Sequence, residues 1–340
     1  VVVAASGVQR AVLQEEFASL TFVDLPGYRI KYGKNRAITI LRLIAAIPKI
    51  LICIKRERAW LRGFAATEGL DLVISDNRYG LAIPGVYCVF ITHQLRIRTP
   101  FGRLADAFLQ RMNYRLIAHF SRCWIPDIQG ADALAGELSN PSTMPPVSVR
   151  YLGVLSRMEG SVAVDGHTAM EDIDVLVLLS GPEPQRTMLE RRVLREMGGI
   201  TGMRMVLVRG LPRGGGAIKE APASVEVHDH LPATELERVM ARARLVVARS
   251  GYSTVMDLAR MGKRAVLIPT PGQTEQEYLG RYLAEKGWAG CMRQRDFTLR
   301  AALAFTDGPF RSWPKEDAGQ RLCAEIGSVL DQSRPSVSGI

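Results

Sequence analysis

The chain has 340 residues, 47% hydrophobic and 23% charged, with a net charge of +10. That length suits two domains, each able to bury its own core, and the composition excludes a disordered, collagenous or repeat-built chain. Five widely spaced cysteines (Cys53, Cys88, Cys123, Cys291, Cys323) form no CxxC pair, so they read as small buried side chains in a reducing compartment, not disulfides or zinc ligands. No signal peptide is visible, and the expected location is the cytoplasm. The charge is uneven: residues 1–122 hold 18 Lys and Arg against 8 Asp and Glu, while the remainder balances at 26 of each. A basic half joined to a neutral half implies an anionic partner for the first: a membrane surface, a phosphorylated lipid or nucleic acid.

Strand-like runs alternate with helix-length segments. They fall at 1–5, 21–23, 72–75, 88–92 and 123–125, then at 175–180, 205–209, 225–227, 245–248 and 265–268. Strands so spaced pair in parallel, and two such series predict an α/β protein of two doubly wound, Rossmann-like domains. The Pro-rich stretch 139–146 puts the boundary near 150, giving domains over 1–150 and 151–316. A helix and tail over 317–340 are expected to pack back toward the first domain. The opening VVVAASG reads as a strand and turn with no glycine-rich loop before it, so either the chain is truncated, its start is misassigned, or the first domain lacks that strand and loop.

Residues 29–62 carry ten basic side chains against Glu57 alone, around the apolar run 38–52. Arg42, Pro48 and Lys49 interrupt that run before the roughly 20 apolar residues of a membrane span. Two readings stay open: an interfacial element resting on anionic lipid, or a core helix with a solvated basic flank. The basic stretch lacks interleaved aromatics and no nucleic-acid reader motif occurs, so nucleic acid is not an expected partner. Strands ending in Asp76-Asn77 and in Thr92-His93-Gln94 place polar side chains at carboxyl ends of a parallel sheet. Asp76 and Asn77 face a ligand there or form an Asx-turn, and His93 is either structural or close to chemistry.

In the second half, Leu178–Thr187 runs from a strand into Ser180-Gly181 and two prolines, leaving Gln185, Arg186 and Thr187 as donors. His228 and His230 flank Asp229 but lack a third ligand of suitable spacing, so no metal is expected. The Gly-rich segment 211–216 has no P-loop Lys-Ser/Thr. Residues 244–288 carry the strongest signal. An apolar strand at 245–248 stops at Arg249-Ser250-Gly251, and Ser253-Thr254 opens a helix, which brings unpaired N–H groups and a positive helix end to one point fit for a phosphate. Asp257, one turn further, is placed to reach a ribose hydroxyl. A second strand, 265–268, leads through Pro269 and Pro271 to Gln273-Thr274-Glu275-Gln276-Glu277 at the next helix start. Ordinary βα loops with N-caps are the plainer alternative.

The run Ser-Gly-Tyr-Ser-Thr-Val-Met-Asp, then Gly-Lys-Arg-Ala-Val-Leu-Ile-Pro, then Gln-Thr-Glu-Gln-Glu-Tyr resembles the donor site of GT-B glycosyltransferases of the MurG type. The resemblance implies that Ser250 and Gly251 hold a nucleotide diphosphate, Asp257 the ribose and Gln276 the donor sugar. The family often has Glu at Asp257, and its sugar-loop Asn is replaced here by Leu279-Gly280. By the same resemblance Ser180 and Gly181 lie against the phosphates, Arg157 contacts a phosphate, and Leu231 stands in the loop that reads a uracil. His93 keeps the first residue of the family's His-Glu-x-Asn acceptor loop, with Gln94 and Arg96 replacing Glu and Asn.

The resemblance implies two domains facing across a cleft and transfer of a sugar, N-acetylglucosamine in the family, from a UDP-sugar to a hydroxyl acceptor, lipid-linked in the family. Inversion, no metal and no cofactor beyond the UDP-sugar substrate are expected, with His93 as the candidate base. Peripheral attachment through residues 29–62 would put the protein on the inner face of the cytoplasmic membrane. The alternatives are a non-catalytic nucleotide-sugar-binding protein, a GT-B UDP-sugar epimerase or, from the charge alone, a nucleic-acid-binding protein.

Overall fold

The computed structural model describes residues 1–25, 36–99, 101–160, 163–164, 167–168, 172–212, 214–215, 222, 224–316 and 318–333, with the backbone alone described at 8, 36–47, 103, 163–164, 167–168 and 333. The elements run β1 (Val2–Ala5), α1 (Gly7–Glu16), β2 (Thr21–Asp24), α2 (Arg36–Glu68), β3 (Leu72–Asp76), β4 (Tyr87–Ile91), α3 (Arg103–Ile117), β5 (Arg122–Ile125) and β6 (Ser148–Tyr151). They continue as β7 (Ala163–Val164), β8 (His167–Thr168), β9 (Ile173–Leu178), α4 (Gln185–Gly198), β10 (Met205–Val208), β11 (Val225–His228), α5 (Ala233–Arg242) and β12 (Ala243–Ala248). Last come α6 (Tyr252–Met261), β13 (Ala265–Leu267), α7 (Thr274–Glu285), β14 (Gly290–Cys291), α8 (Leu299–Leu303) and α9 (Ala318–Ser333). Two compact units result, one from 1–39 with 156–313, the other from 40–155 with 314–340.

In the first unit six parallel strands lie in the order β11-β10-β9-β12-β13-β14. Their β-branched runs are buried on both faces, as strands covered by crossover helices must be. Val175, Val177, Leu207, Val247 and Val266 pack on Leu189, Val193 and Met197 of α4 and on Phe297, Leu299 and Ala302. The pairs β1–β2, parallel, and β7–β8, antiparallel, stand as separate two-stranded ribbons.

The second unit carries a four-stranded parallel sheet, β3-β4-β5-β6. Period-two alternation splits its side chains between two cores. Cys88, Phe90, Cys123 and Ile125 pack with Leu95, Ile117 and Phe120, whereas Val89, Trp124 and Leu152 pack with Ala318 and Val329 at the two ends of α9. The C-terminal helix is therefore part of this core. After β5 the chain turns around Asp127, whose buried carboxylate accepts hydrogen bonds from the Ile128, Leu134 and Ala135 amides and the Ser139 hydroxyl (2.7, 2.8, 2.9 and 2.5 Å). Burial raises this carboxyl, against the lowering effect of those bonds.

Helix α2 runs 33 residues with Pro48 inside it. Ile54, Glu57 and Leu61 are buried at helical spacing, while Leu51, Ile52, Lys55 and Arg56 are exposed. Among the described residues no helix is long and apolar enough to cross a membrane. Arg29, Lys31 and Lys34 of the basic stretch lie outside the described residues, as do 213 and 216 of the Gly-rich segment and 334–340 of the tail.

Candidate functional site

The strand order creates a switch point in the first unit. From β9 the chain moves outward through β10 to β11, then returns through α5 to β12 on the other side of β9 and on to β13 and β14. Leu178 and Ala248, the last residues of β9 and β12, are in register, so the loops that follow them diverge from a common carboxyl edge. Open α/β sheets take ligands at such a point. Gly181 adopts a left-handed φ of +97°, natural only for glycine, and a Cβ there would lie 3.6 Å from the Thr270 hydroxyl. No side chain of the cap residue caps α6 at Gly251 or α7 at Gln273, and both helices start at this edge.

Three loops are fastened together beneath this edge. The Ser250 hydroxyl donates to the Gln276 carbonyl (2.8 Å), and the Gln276 side-chain oxygen accepts from the Thr270 amide (3.0 Å). Arg249, 1% exposed, donates to the carbonyls of Ile268 and Pro269 (3.2 and 3.3 Å) and of Gln185 (2.8 Å). Burial pushes its guanidinium down to about 10, so it stays charged at neutral pH. Its Nε and the buried Thr270 hydroxyl have no hydrogen-bond partner. The Gln185 side chain is held by Gln294 (3.1 Å). Ser180, Gly181, Gln185, Ser250, Gly251, Gln273 and Gln276 thus belong to one set of joined loops. Ser253, exposed, and Thr254, half-buried, occupy the first turn of α6, and half-buried Glu275 the first turn of α7.

Asp257 lies on α6, 4% exposed, and accepts from the Ser156 hydroxyl (2.7 Å) and Arg157 Nε (3.3 Å). The sequence-predicted phosphate contact and ribose carboxylate therefore meet each other. Burial raises the Asp257 carboxyl, opposed by the Ser156 bond and the Arg157 charge. Arg186 is placed differently from its neighbours in the loop. Its guanidinium is committed to Glu183 (2.7 Å) and Glu190 (2.6 Å), and Glu190 is shared with Arg209 (3.0 Å), which reaches Asp229 (2.6 Å). These bonds tie the loops after β9, β10 and β11 together. Leu231, buried, follows β11 at the edge of the sheet.

In the second unit, Asp76 ends β3 and His93 follows β4 on the adjacent strand, where Asp76 and Ile91 are register partners. Surrounding protein raises the Asp76 carboxyl, although the residue keeps solvent contact; the charge of His93 and a hydrogen bond from Asn77 (3.3 Å) pull it back. Asn77 has φ +51°, the one non-glycine positive φ among the described residues. Backbone strain of this kind gathers at functional sites.

Sequence reasoning missed the roles of Arg249 and Ser156. A charged residue closing an apolar strand was the available signal for the first; Ser156 offered none beyond its place next to Arg157.

The fold defines a class. The whole chain superposes on glycosyltransferases of the GT-B fold: the glycotransferase of kitacinnamycin (TM-score 0.59, 16% identity, 98% of this chain and 87% of that one) and spinosyn forosaminyltransferase SpnP (TM-score 0.57, 15% identity, 98% and 87%). A Listeria monocytogenes structure described as a UDP-N-acetylglucosamine 2-epimerase shares the fold equally well (TM-score 0.58, 15% identity, 100% and 90%). Residues 224–304, which hold β11 to β14 and the joined loops after β12 and β13, match the glycosyltransferase family 28 C-terminal domain. Similar relatives are UDP-N-acetylglucosamine–N-acetylmuramyl-(pentapeptide) pyrophosphoryl-undecaprenol N-acetylglucosamine transferases. The one from Desulforudis audaxviator is 34% identical over 36% of this chain and 34% of its own length; the one from Methylobacterium nodulans is 42% identical over 31% and 27%. The chain thus matches only about a third of those relatives' length.

Proposed function

We propose that the protein transfers a sugar, N-acetylglucosamine, from a UDP-sugar to the hydroxyl of a lipid-linked acceptor, with inversion and without a metal ion. The observation that carries this is the set of joined loops at the β9/β12 switch point, two of them inside the segment that matches family 28. The activity named for these relatives supports the choice of donor and lipid-linked acceptor.

In this reading the diphosphate rests at the N-terminus of α6 and on the Ser180-Gly181 turn, above the charged guanidinium of Arg249. Asp257 takes the ribose, with Arg157 turning from the carboxylate to a phosphate. The backbone near Leu231 pairs with the uracil, and Gln276, whose side-chain nitrogen has no bond among the described residues, takes the sugar. His93, beside Asp76, accepts the proton of the acceptor hydroxyl as its oxygen attacks the anomeric carbon. The bond from that carbon to the diphosphate oxygen breaks, and the electron pair leaves on UDP. Fixed dipoles and guanidinium charge stabilise that leaving group, and a positioned base contributes typically 10²–10⁴-fold. Arg186, held by its carboxylates, shapes the loop instead of meeting the ligand.

Peripheral attachment to the inner face of the cytoplasmic membrane belongs to the same reading. Helix α2 exposes Leu51 and Ile52 next to Lys55 and Arg56, and α3 exposes Leu104 and Phe108, 89% and 62% accessible, one turn apart. Apolar side chains ringed by basic ones suit an anionic lipid surface.

The test incubates the protein with UDP-N-acetylglucosamine and a polyprenyl-pyrophosphoryl N-acetylmuramyl acceptor and identifies the products by mass spectrometry. A glycosylated lipid with stoichiometric UDP is expected. Free sugar alone, an epimerised nucleotide sugar, or no turnover despite tight UDP binding would replace transfer by hydrolysis, epimerisation or sensing.

A further inference from the structure

We propose that the second unit carries a separate anion site, at the amino edge of its sheet, that takes the phosphate group of a small ester or of a lipid head. A cavity of 320 Å³ lies there, lined by Arg58 and Arg62 of α2, by Val86 just before β4, and by His119, Phe120 and Ser121 just before β5. Val86 and Ser121 stand at the starts of their strands, so this cavity opens at the opposite end of the sheet from Asp76 and His93. It stands whether or not the donor assignment holds.

The charge in the cavity is uncompensated. Arg58 and Arg62 are one helical turn apart, and neither forms an ion pair or hydrogen bond with a described residue. The Nε of Arg58 is buried with no hydrogen-bond partner among the described residues, a donor that awaits an acceptor. Among the described residues no carboxylate lines the cavity: the nearby buried acid, Glu57, is taken by Arg78 and by the Gly80 amide (3.1 Å). The His119 ring is anchored, its Nδ1 donating to the Arg115 carbonyl (3.0 Å).

Two guanidinium forks at i, i+4 match the several oxygens of a phosphate better than a single carboxylate. The volume is at the small end of ligand pockets, which span about 300–1,000 Å³, and exceeds what a bare ion fills. Val86 and Phe120 add an apolar wall for a carbon-bearing substituent. The ligand chemistry is therefore a phosphate ester with a short carbon skeleton.

The test measures glycerol 3-phosphate binding by calorimetry at constant ionic strength, and flotation with vesicles of phosphatidylglycerol in phosphatidylcholine. It compares wild type, Arg58→Gln/Arg62→Gln, and Arg111→Gln/Arg150→Gln, which removes the same charge from exposed positions of the same unit outside the cavity. Saturable binding to the wild type, weakened at least tenfold in the cavity pair and less than twofold in the control pair, is the expected result. If the cavity pair also floats less than the control, the source is a lipid head; if flotation is equal, it is a soluble ester. Absent saturable binding, or equal loss in both pairs, overturns the proposal. Should the cavity pair fail to fold by circular dichroism, Arg62→Gln alone, on an exposed side chain, is read in its place.

Discussion

Replacing Asp257 by Asn separates holding the fold from holding the ligand. The carboxylate is 6% exposed and its ion-pair partner Arg157 is 50% exposed. A pair so screened contributes no more than about 1 kcal/mol. The Ser156 hydroxyl can still donate to an amide oxygen, and the amide avoids burying a charge. The free protein is therefore expected to change by within about 1 kcal/mol, toward stability, a melting shift of roughly 2–4 °C at most. The pH dependence follows from the raised carboxyl. A group whose folded pKa lies above its unfolded value stabilises the fold below the unfolded value, and that contribution is lost as pH rises through the folded one. The advantage of Asn should accordingly vanish near pH 4 and below and be complete at neutral pH.

Ligand binding should move the other way. An amide accepts from only one hydroxyl of a ribose diol, so at least one charge-assisted bond, worth roughly 1.5–3 kcal/mol, is lost and the UDP dissociation constant rises about 10- to 100-fold. The assay is calorimetric titration of both proteins with UDP and 2′-deoxy-UDP, with melting curves from pH 4 to 8. Equal discrimination between the two nucleotides by both proteins would refute the ribose assignment. A stability loss above about 2 kcal/mol would refute the reasoning about burial.

Glu190→Ala removes the carboxylate that Arg186 and Arg209 share, leaving them Glu183 and Asp229, and should cost about 1.5–3 kcal/mol in urea unfolding; a loss under about 0.5 kcal/mol would mean the shared carboxylate carries no weight. Gly280→Ala puts a Cβ 2.8 Å from Pro269 and 2.9 Å from the Cys291 sulfur, so an overpacking loss of about 1–3 kcal/mol is expected. Because Pro269 opens the loop to Gln276, weaker UDP-sugar binding should accompany it, and an unchanged melting temperature would count against the packing. His93→Gln should lower kcat by about 10²–10⁴ while leaving UDP affinity within about twofold, and a preserved kcat removes His93 as the base.

Much of this was legible because buried strands advertise themselves. Leu245–Ala248 and Cys88–Phe90 are apolar, short and bounded by small or polar residues, and the small-residue turns after β9 and β12 mark where backbone donors gather. What escaped depends on partners distant in sequence or on local exceptions. Strand β6 is Ser-Val-Arg-Tyr, with alternating exposure and no apolar run. The bond between Arg157 and Asp257 joins residues 100 positions apart. Arg186 reads as a phosphate ligand although Glu190 stands four residues on, because Arg209, which completes the buried cluster, comes from beyond the end of the next strand.

Arg249 grips its neighbours only through main-chain oxygens, those of Gln185, Ile268 and Pro269. Such an anchor is indifferent to which side chains those positions bear. Sequence drift in the surrounding loops can retune what the pocket prefers without loosening its frame, whereas insertions or deletions that slide the carbonyls cannot be absorbed. Diversification at this edge should therefore proceed by replacement at constant loop length.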